Sequence, residues 1–307
     1  MKHLLGLKTA SRDEIQGLID DAFYLKEKVL RADVKSLPLL KGKSVITLFF
    51  ENSTRTRVSF ELASKYLGAT AANISASGSS VAKGETLIDT VKTIDAMAAD
   101  VIIVRHSESG APQLISKYVD ASIVNAGDGM NEHPTQALLD MMTIVEKKNK
   151  IDGLKVAIVG DVKHSRVARS NIYGLKTMGA EVVLAGPTTL MPSHLEDLGV
   201  KAYNDVEKAV EGADVVMGLR IQLERQKKGL FPTVREYTKY FGINERRLKL
   251  AKPDAILMHP GPVNRGVELT ADIVDGESSA INEQVTNGVC IRMAVLNRIV
   301  NGELKRD

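Results

Sequence analysis

A chain of 307 residues with 44% apolar and 26% charged side chains is long enough for two ordinary domains and has the balance of a globular enzyme. Its formal net charge of +3 is too small to draw it to nucleic acid or a membrane surface, so the positive charge that matters is expected at local sites for anionic ligands. One cysteine, Cys290, excludes an internal disulfide framework and a CxxC metal site; no run approaches ~18 apolar residues, and Met1 to Gly6 lacks the apolar stretch of a signal peptide, so a cytoplasmic protein is expected.

Ser11, with Glu14 three residues on, has the form of a capping box, and Ile15, Leu18, Ile19, Ala22, Phe23 and Leu25 continue it at helical spacing. Pro38 to Gly42 turns the chain into an apolar run, Ser44 to Phe50, that reads as a buried strand. Val58, Leu62, Tyr66 and Leu67 then recur at helical spacing, with Ser53 or Thr54 as the N-cap. A helix N-terminus offers unpaired N–H groups and a positive dipole end. Arg55 and the hydroxyls of Ser53, Thr54 and Thr56 add to it, giving a phosphate cradle that uses no glycine. Gly68 ends the helix, Thr70 to Ile74 reads as a short strand, and the Ser/Gly-rich stretch 75–85 as a loop. Thr86 starts a helix carrying Leu87, Ile88, Val91 and Ile94. Asp100 to Arg105 is a buried strand with an arginine at its carboxyl end, where ligands sit in open α/β sheets. Ala121 to Gly127 is a further strand leading to His133-Pro134-Thr135-Gln136; Pro134 suits a first helical turn, and His133 and Gln136 share one side of the helix entrance.

Glu146 to Lys150 is a charged stretch that reads as a domain junction. A second α/β pattern follows, with strands at 154–161, 182–185 and 213–218 and helices between them, which implies a parallel sheet covered on both faces. The G-x-G-x-x-G fingerprint is absent after Gly160, so no nicotinamide cofactor is expected; Arg166 at that turn suits a carboxylate instead. Gly218-Leu219-Arg220-Ile221-Gln222 ends a strand, and the basic stretch Leu223 to Phe241 is a candidate lid. Ala255 to His259 runs as a strand into Pro260-Gly261-Pro262, where a cis bond at Pro262 is expected. A last helix spans 284–300 with Val289, Met293, Leu296 and Val300 at helical spacing.

Ser53-Thr54-Arg55-Thr56-Arg57 followed by Ser59-Phe60-Glu61 resembles the phosphate-binding motif of the aspartate and ornithine carbamoyltransferases. His133-Pro134-Thr135-Gln136-Ala137-Leu138-Leu139-Asp140 resembles that family's second signature in its aspartate-using form, and the resemblance extends over essentially the whole chain. It implies two parallel-sheet α/β domains: a carbamoyl-phosphate-binding domain at 1–148, an aspartate-binding domain at 149–284, and a C-terminal helix at 285–307 packing back on the first. It implies transfer of the carbamoyl group of carbamoyl phosphate to the amino group of L-aspartate, giving N-carbamoyl-L-aspartate and phosphate, an early committed step of pyrimidine synthesis. Neither a cofactor nor a metal is implied.

By the same resemblance Arg55, Thr56, Arg105 and His133 are catalytic and surround the oxyanion of the tetrahedral intermediate. Ser53, Thr54, Arg55, Thr56 and Arg105 hold the phosphate, while Gln136 and the Pro260-Gly261-Pro262 turn take the carbamoyl group. Ser79, or the adjacent Ser80, and Lys83 match a loop that reaches a neighbouring subunit's site, which implies a homotrimer with shared active sites. Arg166 matches the arginine for the α-carboxylate of aspartate, and Arg220 and Gln222 the pair for its β-carboxylate, with Lys83 assisting. Gly261 stands where some members carry a larger apolar residue. Ornithine is the alternative acceptor, but ornithine enzymes carry a His-Cys-Leu-Pro stretch in place of His259-Pro260-Gly261-Pro262 and a Ser-Met-Gly motif with no counterpart at Arg220-Ile221-Gln222. The sequence leaves open a regulatory chain or other pyrimidine-pathway subunits; no nucleic-acid or membrane partner is expected.

Overall fold

The computed structural model describes residues 1–33, 35–75, 84–193, 195–221 and 233–305. The backbone divides into two compact units, one made of Met1–Met142 and Thr286–Asp307, the other of Thr143–Val285. Each is built on a parallel sheet, as the alternation of apolar runs and helical periods implied.

In the first unit α1 (Arg12–Leu25) opens on the complete Ser11–Glu14 capping box: Glu14 N–H donates to Ser11 Oγ at 3.2 Å and Ser11 N–H to the Glu14 carboxylate at 2.8 Å. The unit continues with β1 (Ser44–Phe49), α2 (Thr54–Tyr66), β2 (Thr70–Ser75), α3 (Leu87–Ala96), β3 (Val101–His106), α4 (Ala111–Ile115), β4 (Ser122–Asp128) and the start of α5 (Pro134–Lys148), whose residues from Thr143 on belong to the second unit. The strands lie in the order β2-β1-β3-β4, with Leu48, Ile102, Val104 and Ile123 packed against Val91, Ile94 and Ile115. From β1 the chain first adds β2 on one side and then β3 on the other. The carboxyl ends of β1 and β3 are therefore a topological switch point, where a crevice opens in sheets of this kind. Asp100 braces the opposite end of this sheet by accepting from Ser44 N–H at 2.8 Å, Ser44 Oγ at 3.1 Å and Lys43 Nζ at 3.0 Å.

The second unit contains β5 (Lys155–Val159), α6 (Arg166–Thr177), β6 (Glu181–Ala185), α7 (Leu195–Leu198), β7 (Lys201–Tyr203), α8 (Val206–Val210), β8 (Val215–Gly218), α9 (Val234–Phe241), α10 (Glu245–Leu248), β9 (Ile256–Met258) and α11 (Ala271–Val274). Its sheet order is β7-β6-β5-β8-β9, which makes β5/β8 the second switch point, with Val159 in register with Gly218. Gly160 leaves β5 at φ +135°; a Cβ there would lie 3.0 Å from Leu219 Cβ and 3.3 Å from the Tyr237 hydroxyl, so the turn needs glycine.

Two stretches differ from expectation. Of the candidate lid at 223–241, residues 223–232 lie outside the described residues, but 234–241 is helix α9, capped by Thr233 and anchored by Tyr237, which is 2% exposed. Val234, Tyr237 and Phe241 recur at helical spacing inside the basic composition that suggested a lid. The last helix, α12 (Ile281–Asn301), begins a turn before the expected 284. From Thr286 onward it belongs to the first unit, where Lys26 Nζ donates to Asn287 Oδ1 at 2.8 Å and Arg298 pairs with buried Asp21. No helix among the described residues is long and apolar enough to cross a membrane.

Candidate active site

In the first unit the switch-point strands end side by side. Phe49 of β1 is in register with Arg105 of β3, and Phe50 N–H donates to the Arg105 carbonyl at 2.9 Å. Ser53 is the N-cap of α2, in extended backbone at φ −158° and ψ 97°, yet its hydroxyl makes no cap bond to the described residues. The first turn of α2 carries amide donors, and the positive end of the helix dipole lies at this end. Thr54 and Arg55 are exposed, Ser53 is half-buried and Thr56 is buried. Arg105 donates from Nη1 to the Ala126 carbonyl at 3.3 Å, and its Nε stands 3.3 Å from Glu51 Oε2. Glu51 is thus a counter-charge at the site that the reading of the motif passed over.

A buried polar cluster shapes the turn after β4. Asn125 Nδ2 donates to Asp128 Oδ1 at 2.7 Å; Gly110 N–H and Asn131 Nδ2 donate to Asp128 Oδ2 at 2.7 and 3.0 Å. Glu132 accepts Leu7 N–H at 2.7 Å, tying the N-terminal segment to the turn. These bonds deliver His133, 4% exposed, to the start of α5, where its carbonyl accepts from Gln136 N–H at 3.0 Å. Gln136 donates from Nε2 to Asp140 Oδ1 at 3.0 Å, and Asp140 is fully buried.

In the second unit Asp161, buried beyond β5, accepts His164 N–H at 3.2 Å and holds His164 Nδ1 at 2.9 Å. This fixes the turn before α6, whose N-cap Ser165 accepts Ala168 N–H at 3.1 Å and whose first residue is buried Arg166. Arg220 follows β8 by two residues and is partly buried, next to Ile221, which packs with Leu190 and Tyr237. Beyond β9, buried His259 donates its backbone N–H to Gln284 Oε1 at 2.9 Å. Its Nδ1 accepts Gly261 N–H at 2.8 Å, which leaves the ring proton on Nε2, 3.2 Å from buried Glu268 Oε1. Glu268 Oε1 accepts Asn264 N–H at 2.6 Å. The Pro260-Gly261-Pro262 turn is thus gripped from behind; Gly261 has φ +62°, its bond to Pro262 is cis as expected, Pro260 and Gly261 are half-buried and Pro262 is exposed.

Ser53, Thr54, Arg55, Thr56, Arg105, His133 and Gln136 therefore lie at or beyond the carboxyl ends of β1, β3 and β4 in the first unit. Arg166, Arg220 and Pro260-Gly261-Pro262 gather beyond those of β5, β8 and β9 in the second. Ser79, Lys83 and Gln222 lie outside the described residues. Both ends present arginines at a helix start or strand end, an arrangement suited to anions. The sequence reading missed Asp140 although it stood four residues after Gln136, the spacing at which Gln and Asp meet on a helix. Glu268 and His259 offered no such local signal.

Two sequence models match the chain: that of the aspartate/ornithine carbamoyltransferase carbamoyl-P binding domain over residues 2–146, and that of the aspartate/ornithine carbamoyltransferase Asp/Orn binding domain over residues 152–299. The aspartate carbamoyltransferase catalytic subunit of Acetivibrio thermocellus is 65% identical over 295 residues, 96% of this chain and 94% of that one. Among solved structures, the aspartate transcarbamoylase of Trypanosoma cruzi in complex with carbamoyl phosphate and aspartate aligns with a TM-score of 0.88 at 32% identity, covering 97% of this chain and 96% of its own. The ornithine carbamoyltransferase of Pyrococcus furiosus aligns with a TM-score of 0.85 at 32% identity, covering 99% and 98%.

Proposed function

The chain belongs to the aspartate/ornithine carbamoyltransferase family, and from that membership we infer that it transfers the carbamoyl group of carbamoyl phosphate to the amino group of L-aspartate. The observation that carries the choice of acceptor is the pair Arg166 and Arg220, beyond β5 and β8 of one sheet: two guanidiniums suit an acceptor with two carboxylates and repel a cationic one such as ornithine.

The reaction explains the residue types. The amine attacks the carbonyl carbon, the carbonyl oxygen becomes an oxyanion, and the bond to the phosphate oxygen breaks as the phosphate departs with a proton taken from the amine. Arg55, Thr56, Arg105 and His133 are assigned to the oxyanion, where preorganised donors lower the barrier most. The α2 amides with Ser53, Thr54, Arg55, Thr56 and Arg105 are assigned to the phosphate, supported by the Ser53 hydroxyl, which makes no cap bond to the described residues. Gln136 and the Pro260-Gly261-Pro262 turn take the carbamoyl group; Arg166 takes the α-carboxylate and Arg220 with Gln222 the β-carboxylate. Orientation and charge supply the rate, with no covalent intermediate.

A cytoplasmic location, a role in pyrimidine synthesis, and a homotrimer in which Ser79 and Lys83 serve a neighbouring site belong to the same reading, supported by the family and the loop's sequence. Incubating the purified chain with carbamoyl phosphate and either L-aspartate or L-ornithine tests it. Phosphate release with formation of N-carbamoyl-aspartate is expected; citrulline as the main product, or no turnover, overturns it.

A further inference from the structure

We propose that Asp140 is the positioning residue that decides which end of the Gln136 amide faces the carbamoyl group. The inference rests on the carbamoyl-transfer reading above. An amide has a donor end and an acceptor end of similar size, and a carbamoyl group presents both a C=O and an NH2. A glutamine free to flip distinguishes that NH2 poorly. An ionised carboxylate only accepts, so it takes the donor end and leaves the acceptor turned outward. The geometry has this form: Gln136 Nε2 lies 3.0 Å from Oδ1 of fully buried Asp140, leaving Oε1 to accept from the carbamoyl NH2.

A buried carboxylate needs a compensating cation to stay ionised. Arg292 supplies it. It is 4% exposed, donates from Nη1 to Ser59 Oγ at 2.9 Å and to the Gly288 carbonyl at 2.8 Å, and lies over the Phe60 ring at 5.0 Å. Burial pushes its guanidinium down to about 10, and attraction to Asp140 opposes that shift. Its Nε has no hydrogen-bond partner among the described residues. A buried arginine with an orphaned donor is poorly explained by stability, since a well-packed apolar side chain serves stability as well or better. Arg292 thus bonds Ser59 of α2, the helix assigned to the phosphate, while its charge is attracted to Asp140 of α5, the helix assigned to the carbamoyl group.

Acetyl phosphate is the probe: it keeps the carbonyl and phosphate and carries a methyl in place of the amino group. Isothermal titration of the unmodified protein with carbamoyl phosphate, acetyl phosphate and inorganic phosphate gives its preference for the amino group. Asp140→Asn, whose own amide accepts either end of Gln136, is expected to weaken carbamoyl phosphate about tenfold and leave the other two unchanged. In a Gln136→Ala background the same substitution is expected to change nothing further. Equal losses for all three ligands mean that Asp140 only supports the local fold and overturn the proposal; so does an unchanged preference. Should Asp140→Asn fail to fold, Arg292→Met is read by the same ratio with the same expectations. A protein that turns over aspartate but lacks the preference refutes this inference alone, and one that keeps the preference without making N-carbamoyl-aspartate refutes the functional reading alone.

Discussion

The two arginines proposed to choose the acceptor are not equivalent: Arg166 is buried at the start of α6, whereas Arg220 is partly buried past β8. A planar guanidinium is already shaped for a carboxylate, so little is lost in ordering it. Replacing Arg220 by alanine is expected to cost roughly 3 kcal/mol in kcat/KM for aspartate and to leave the dissociation constant of carbamoyl phosphate unchanged. Steady-state kinetics with a parallel titration checks this; normal aspartate kinetics in Arg220→Ala removes the residue from the acceptor site. The placement of both arginines past strand ends was legible in the sequence because each follows an apolar run that has to be a strand, and strand ends are where ligands bind. The residues that support them were not. Glu51 sat inside the quoted motif, yet nothing in its neighbours announces that Arg105, 54 positions later, meets it. Arg292 meets Ser59 across 233 residues, a distance over which one sequence carries no pattern.

Elements with a strong local cause came through best. The Ser11–Glu14 box starts α1, and Thr86 accepts Asp89 N–H at 3.2 Å to start α3 as expected. The pieces that escaped, such as β7 and α7, are three or four residues long, too short to show a period of their own; β7 takes its form from pairing with β6. Helix α9 escaped for a different reason: its charges dominated the composition and hid Tyr237 and Phe241, whose rings lie 5.8 Å apart. The brace on β1 gives a test at this scale. Burial raises the Asp100 carboxyl, but the bonds from Ser44 N–H, Lys43 and the Ser44 hydroxyl outweigh it and hold the group below its ordinary 3.8. A depressed carboxylate contributes stability above the unfolded value, and the contribution is lost as pH falls through the lower folded value. Asp100→Asn is therefore expected to cost on the order of 1 kcal/mol at neutral pH. The gap between variant and parent melting temperatures should close once the pH drops below 3.8. Calorimetry over that range is the check, and a gap that stays constant contradicts the brace.

At the scale of the whole molecule, the trimer reading predicts complementation. Arg55→Ala disables the site of its own chain, and Lys83→Ala the site next door. Unfolding the two together and refolding them is expected to restore activity at sites that draw both residues intact from different chains. Each variant refolded alone is expected to stay inactive; verified mixed trimers without activity show that Lys83 serves its own chain. The division into units has another consequence. The second unit, Thr143–Val285, is one unbroken length of chain, whereas the first needs Thr286 onward to be complete. On the ribosome, Asp21, Lys26 and Ser59 emerge early and wait for Arg298, Asn287 and Arg292. With 143 intervening residues to translate, the interval is roughly 7 to 30 seconds at typical bacterial and eukaryotic rates. The half of the enzyme made first is thus the half finished last, and for that interval the face that α12 will cover is open to nascent-chain chaperones and proteases.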